Sequence, residues 1–152
     1  MPTDGIDKLD IKILRHICEG AYSYDDLAER CKVSRNTVYR RIAKLEEMGV
    51  IRKRIMALPD FSKIGFSAVV IGLNLSPKDI EKAISFLKFQ HQVKFLWRTY
   101  GAHDLLVTIL CDKDDVGTCI YNLRKGLEDM NISVTKFDVS VSIVWEKMQV
   151  SP

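Results

Sequence analysis

The chain has 152 residues, 47% of them apolar, and a formal net charge of +3. That length suits one medium domain or two small ones, and the apolar content supplies a core and excludes global disorder. No apolar run is long enough for a bilayer, and Asp4, Asp7 and Asp10 occupy the stretch where a secretory signal is basic and then apolar. A cytoplasmic protein with no membrane partner is therefore expected. The charge is unevenly spread. Residues 1–58 carry 12 Lys/Arg against 9 Asp/Glu, whereas residues 59–152 carry 11 of each. Within 35–54 there are seven basic groups and two acidic ones, a local patch suited to DNA contact through one face.

In chain order, Ile6, Leu9, Ile11, Ile13, Leu14 and Ile17 predict a first helix over 6–18, closed by Gly20. Ser23 predicts the start of a short second helix, with Asp26 in a capping-box-like position. Lys32 and Val33 make the turn, and Ser34 caps a third helix whose seam is Val38, Ile42 and Leu45. Gly49 ends it. Two short helices around a tight turn are helix-turn-helix geometry. Val50–Ala57 is strand-like and suits a small wing. Residues 59–65, with Pro59 at their start, read as a hinge linker.

The remainder alternates between strands and helices. Phe66–Leu75 is a strand; Ser76 and Pro77 start a helix burying Ile80, Ala83, Ile84 and Leu87. Val93–Tyr100 and Asp104–Cys111 form a hairpin about Gly101. Asp112–Asp115 opens a helix running to about Met130, and Val134–Trp145 is the last strand. Strand-helix-strand-strand-helix-strand is the ferredoxin-like plan. The expected fold is α+β: a winged helix-turn-helix domain over 1–58, then a βαββαβ domain with a four-stranded antiparallel sheet over 66–152. Several strands, such as Ala68–Ile71 and Leu105–Leu110, are apolar on both sides. A sheet with one wet face should alternate, so a second copy of the chain is expected on its uncovered face.

Ser34, Arg35, Asn36 and Thr37 occupy the helix end that enters the major groove, where Asn suits adenine and Arg suits guanine. Tyr39, Arg40, Arg41 and Lys44 follow on the helix. Arg52, Lys53 and Arg54 in the wing suit phosphate or the minor groove. Thr37 also serves capping, and Tyr39 either stacks near the backbone or packs on the first helix. Tyr100, His103 and Asp104 group an acid with an imidazole, but no nucleophile is linked to them by spacing, so no enzyme is expected. Four widely spaced cysteines and three histidines have no metal-ligand spacing, so no metal or cofactor is expected. The cysteines are expected as reduced thiols, a Cys111–Cys119 disulfide being the alternative.

Over about residues 6–147 the chain resembles the Lrp/AsnC, or feast/famine, family of prokaryotic transcriptional regulators. The resemblance is carried by Ile6-Asp-Lys-Leu-Asp-Ile-Lys-Ile-Leu14, Asp26-Leu-Ala-Glu-Arg30, Val33-Ser-Arg-Asn-Thr-Val-Tyr-Arg-Arg-Ile-Ala-Lys-Leu-Glu-Glu-Met-Gly-Val-Ile51 and the turn Tyr100-Gly-Ala-His-Asp-Leu-Leu106. It implies a homodimer that assembles into tetramers or octamers and an amino-acid effector. On its terms the effector candidates are Leu75, Tyr100, Gly101, Ala102, His103, Asp104, Thr135 and Asp138. Ala102 departs from the family turn, which often has an acidic residue there.

The function expected is a sequence-specific regulator of double-stranded DNA. Its rivals are a weakly specific architectural binder, whose footprint would spread with concentration, and a ligand-sensing scaffold that binds no DNA. The latter predicts association without salt dependence.

Overall fold

The computed structural model describes residues 5–21, 23–52, 54 and 57–152. They divide into two compact units, Met1–Leu58 with Lys147–Pro152, and Pro59–Glu146. The first contains α1 (Lys8–Cys18), α2 (Tyr24–Cys31) and α3 (Arg35–Glu47). Asp7 caps α1 by accepting from the Asp10 N–H at 2.9 Å, and the Asp10 carboxylate returns to the Asp7 N–H at 3.0 Å. This reciprocal box sets the start of α1 at Lys8, one half-turn later than the apolar periodicity suggested. Ser23 accepts from the Asp26 N–H at 3.0 Å. The Asp26 carboxylate instead bonds Arg30 at 2.7 Å, so only half of the expected box forms. Lys32 ends α2 in the left-handed region, at φ 58, giving the tight turn before α3. Val38 and Ile42 pack with Ile13, Ala21, Leu27 and Cys31, and Leu45 is fully buried.

Beyond Gly49 the chain folds back, with the Val50 and Ile51 N–H groups both donating to the Leu45 carbonyl. At the described positions of the expected wing (50–52, 54 and 57) no strand forms; Lys53, Ile55 and Met56 lie outside the described residues. A strand needs a ladder partner to satisfy its amides, and here the first two amides are spent on the α3 C-terminus. The tail also differs from the expected boundary, since Lys147–Pro152 groups with the first unit. There the Arg15 Nε donates to the Pro152 carbonyl at 3.1 Å.

The second unit begins with Asp60, which caps a 3-10 turn over Phe61–Ile64. The residues expected as a hinge are thus structured within this unit. Then come β1 (Phe66–Leu75), α4 (Ile80–Lys88), β2 (Val93–Arg98), β3 (Leu105–Asp112), α5 (Val116–Asp129) and β4 (Val134–Val141). The sheet order is β2-β3-β1-β4, antiparallel throughout. Alternation along β1 and β3 turns Val69, Ile71, Leu73, Leu105, Val107 and Ile109 inward, where they join Ala83, Leu87, Leu123 and Leu127 in one core. The opposite face carries Phe66, Val70, Phe95 and Trp97, all more than a third exposed, and the Phe95 and Trp97 rings stack at 5.3 Å.

Several boundaries moved, and β2 stops at Arg98 rather than Tyr100. β4 stops at Val141 rather than Trp145, whose ring turns to Phe61 at 5.4 Å. Ser76 makes no side-chain cap, and Pro77–Asp79 is a 3-10 turn; the buried Asp79 carboxylate accepts from the Ser133 N–H at 2.9 Å. Asp112 closes β3 and Lys113–Asp115 form the turn before α5, with the Asp112 carboxylate accepting from the Asp114 N–H. Contrary to the expectation of free thiols, Cys111 at the end of β3 and Cys119 in α5 form a disulfide. The tight turn brings their Cα atoms to 5.9 Å, within the bridging range. Closing so short a loop contributes about 2–3 kcal/mol.

Candidate nucleic-acid interface

α3 is built so that its two sides do different work. Ser34 accepts from the Thr37 N–H at 3.1 Å, and the two hydroxyls lie 2.9 Å apart, so both residues are occupied with capping. Asn36, Tyr39, Arg40 and Ala43 are exposed at helical spacing on the side away from Val38 and Ile42. Among the described residues, Asn36 and Arg40 have no side-chain hydrogen-bond or ion-pair partner. Arg35 stands 3.5 Å from Asp25, but both side chains are mostly exposed, so the pair holds Arg35 only weakly. The small Ala43 leaves room for close approach along this stripe.

Arg41 and Lys44, expected alongside these as DNA contacts, face α1 instead. The Arg41 Nη1 donates to Asp7 Oδ2 at 2.6 Å and to both oxygens of Asp10 at 3.1 Å. The Asp10 side chain is completely buried. Lys44 lies 3.8 Å from Asp10 and donates to the Gly5 carbonyl. Both bases therefore neutralise a carboxylate pair that would otherwise sit at the helix-helix contact uncompensated. The Asp10 N–H bond, and after it Arg41, hold the Asp7 carboxyl below its ordinary 3.8. Arg41 is in turn made harder to deprotonate, first by its bond to Asp7.

Arg54 is also engaged. Its Nη1 donates to the Tyr24 hydroxyl at 2.7 Å, its guanidinium lies 5.7 Å from the Tyr24 ring centroid, and its Nε meets Glu46 at 2.7 Å. Arg52 is exposed, and Lys53 is outside the described residues. Tyr39 is 56% exposed and meets Tyr24 of α2 edge-on, with ring centroids 5.6 Å apart at 68°. Tyr24, Arg35, Asn36 and Tyr39 together line an open notch of about 430 Å³.

The residues grouped as effector candidates separate in the fold. Leu75 is in the helix-side core, and its N–H donates to Asp104 Oδ2 at 2.9 Å, so Asp104 ties the β2–β3 turn to β1. His103 lies on the opposite sheet face. Its two ring nitrogens face Asn74 Oδ1 at 2.9 Å and Asp138 Oδ2 at 3.4 Å. The ring covers Gly72, where a Cβ would come within 2.5 Å of it, so only glycine fits beneath. Lys136, missed from the sequence, stands 3.0 Å from Asp138. Tyr100, Gly101 and Ala102 are exposed at the turn, with Gly101 at φ +117, and Thr135 is exposed where the β1–β4 register shifts. Alternation along β4 would have grouped Lys136 with Asp138, but nothing in the sequence joins either to His103.

A capped helix pair around a left-handed turn, with an exposed Asn/Tyr/Arg stripe on the second helix, defines a helix-turn-helix DNA-binding protein. A winged helix-turn-helix DNA-binding family model matches residues 6–52. A Pyrococcus horikoshii protein described as an uncharacterized HTH-type transcriptional regulator, PH0061, is 31% identical over 111 residues, covering 72% of this chain and 74% of its own length. The crystal structure of PH0061 superposes with a TM-score of 0.85 at 23% identity, covering 97% of this chain and 99% of that one. E. coli AsnC superposes at 0.77 with 22% identity, over 97% and 99%. The L-Met complex of NMB0573 from Neisseria meningitidis superposes at 0.73 with 22% identity, over 97% and 96%. The chain belongs with PH0061 to a family of HTH-type transcriptional regulators, is a DNA-binding transcriptional regulator, and has the fold of the Lrp/AsnC proteins. No helix of the described residues is long and apolar enough to cross a membrane.

Proposed function

We propose that this regulator reads DNA sequence as a homodimer, with Asn36, Tyr39 and Arg40 as the base-facing residues of each protomer and Arg35 beside them. The observation that carries this reading is the division of labour on α3: among the described residues Asn36 and Arg40 have no hydrogen-bond or ion-pair partner, while Arg41 and Lys44 are spent on Asp7 and Asp10. The exposed apolar face with Phe66, Val70, Phe95 and Trp97 supports pairing through the sheets, which would hold two recognition helices at fixed spacing. Higher assembly into tetramers or octamers is compatible with the exposed Tyr100 turn.

The test is a duplex selected from random-sequence DNA by the full chain. Arg40→Ala should weaken binding roughly tenfold and lower the salt slope by about one, without loss of fold. Asn36→Ala should chiefly relax base preference at one position, by about 1–3 kcal/mol. Equal affinity of the wild type for selected and random duplexes would defeat the sequence-specific reading and favour the architectural one.

An amino-acid effector is the second part of the proposal, supported by the L-Met complex of the similarly folded Neisseria protein. Asp138 and Lys136 offer the opposite charges a zwitterion requires, with His103, Tyr100, Gly101, Ala102 and Thr135 around them. Leu75 and Asp104 serve by fixing the turn. Calorimetric titration with each of the common amino acids should find one that binds, with the affinity lowered in Asp138→Asn. A blank across the set would remove the effector.

A further inference from the structure

We propose that the notch between Tyr24 and Tyr39 is a receptor for the C5-methyl group of thymine in the major groove. The inference rests on the DNA-reading role of α3 and adds to it the chemistry of one subsite. Two aromatic rings meeting at 68°, 5.6 Å apart, form an apolar corner beside the first turn of the helix that would enter the groove. The corner is open, with about 430 Å³ between Tyr24, Arg35, Asn36 and Tyr39. Its Tyr24 wall is fixed, because Arg54 donates to the hydroxyl and lies over the ring. Its Tyr39 wall is 56% exposed.

Exposed aromatic surface at such a place needs an apolar counterpart. The edges of the base pairs offer only one in the major groove, the thymine methyl; the other features there are hydrogen-bond donors and acceptors. The rim matches the same base pair context. Asn36, one turn before Tyr39, has the paired donor and acceptor that suit adenine N6 and N7, so neighbouring A·T pairs satisfy both side chains. Arg40 and Arg52, both exposed, give the surroundings the charge that draws a phosphate backbone close. Arg54 then acts as a positioning residue: by clamping Tyr24 it keeps the corner open, and Glu46 at 2.7 Å keeps Arg54 in place.

The experiment uses the full chain and the duplex selected from random DNA. Each thymine of that duplex is replaced singly by deoxyuridine, which removes the methyl and leaves every hydrogen-bonding group. At one thymine per half-site the wild type should lose about fourfold in affinity, the value of one buried methyl. Tyr39→Phe should keep that sensitivity, and Tyr39→Ala, verified as folded by its thermal melt, should bind the thymine and deoxyuridine duplexes equally. A wild type indifferent to every deoxyuridine, or a Tyr39→Ala variant that still discriminates, overturns the proposal; contact of the tyrosines with sugar or phosphate alone gives the first result. If the selected duplex is bound specifically and Arg40→Ala weakens it, that failure is confined to the methyl site. If no duplex is preferred over random DNA, the sequence-reading role fails and the methyl site with it.

Discussion

Arg41→Ala should unfold the N-terminal unit at far lower temperature than the wild type, whereas Arg40→Ala, its neighbour in sequence, should leave stability unchanged. The difference follows from what each guanidinium touches. Arg41 is the close partner of an Asp10 carboxylate that has no exposed surface, with Lys44 more distant at 3.8 Å. Removing a partner from a buried ion pair leaves the other charge desolvated, and the cost here is about 2–3 kcal/mol because Lys44 and the Asp7 N–H remain. In a unit of this size that corresponds to a fall in Tm on the order of 10–20 °C. Circular dichroism melts of the two variants side by side check it, and equal melting temperatures would sink the assignment. DNA affinity of Arg41→Ala should recover to near wild type well below its Tm.

Acid should act on the same corner. The Asp7 carboxyl titrates below 3.8 in the folded chain. A depressed carboxyl contributes stability that is fully present above its unfolded value and is lost as pH falls through the folded one. The Asp10 N–H bond is the larger cause of the depression, so Arg41→Ala removes only part of it.

This corner also shows where the sequence was legible and where it was not. Ser23, Ser34 and the apolar spacing of Val38, Ile42 and Leu45 encode the helices locally, so they could be read directly. The two-sided apolar strands likewise announced a sheet with one exposed apolar face. Arg41 was harder. Its position flanks the buried seam, but a basic residue in a basic helix looks like any other until α1 is packed against it. Asp7 and Asp10, three apart at a helix start, are a box signature that the apolar period of α1 obscured. The Cys111–Cys119 bond depended on the closeness of a strand end and a helix start eight residues apart, which compartment-based reasoning discounts. Asp104 and Leu75 were grouped by resemblance to a ligand turn, but a backbone bond between them could only be seen once β1 and the turn were side by side. His103 over Gly72 is of the same kind: a contact between strands that sequence spacing does not record.

Val70→Asp should convert the proposed dimer to monomers and weaken DNA binding by about 10²–10⁴, more than any single change on α3. Val70 lies on β1 between Thr108 of β3 and Ser140 of β4, at the middle of the uncovered face and 42% exposed. Because it faces outward, a carboxylate there meets water in the isolated chain and leaves the Val69, Ile71 and Leu73 core untouched. Across a two-fold axis the substitution enters the interface twice, and each carboxylate would be desolvated opposite apolar surface or its own copy. The energetic asymmetry between free and paired chains is what drives dissociation, not any loss of folding. DNA affinity then falls because each recognition helix must bind alone, without the effective concentration a linked partner supplies. Sedimentation should give half the wild-type mass with an unchanged melting profile at high dilution, and Lys125→Asp on the exposed side of α5 should change neither property. If Val70→Asp sediments like the wild type, pairing through this face is wrong; if it is monomeric but binds DNA as tightly, the dimer is not what sets the reading frame of α3.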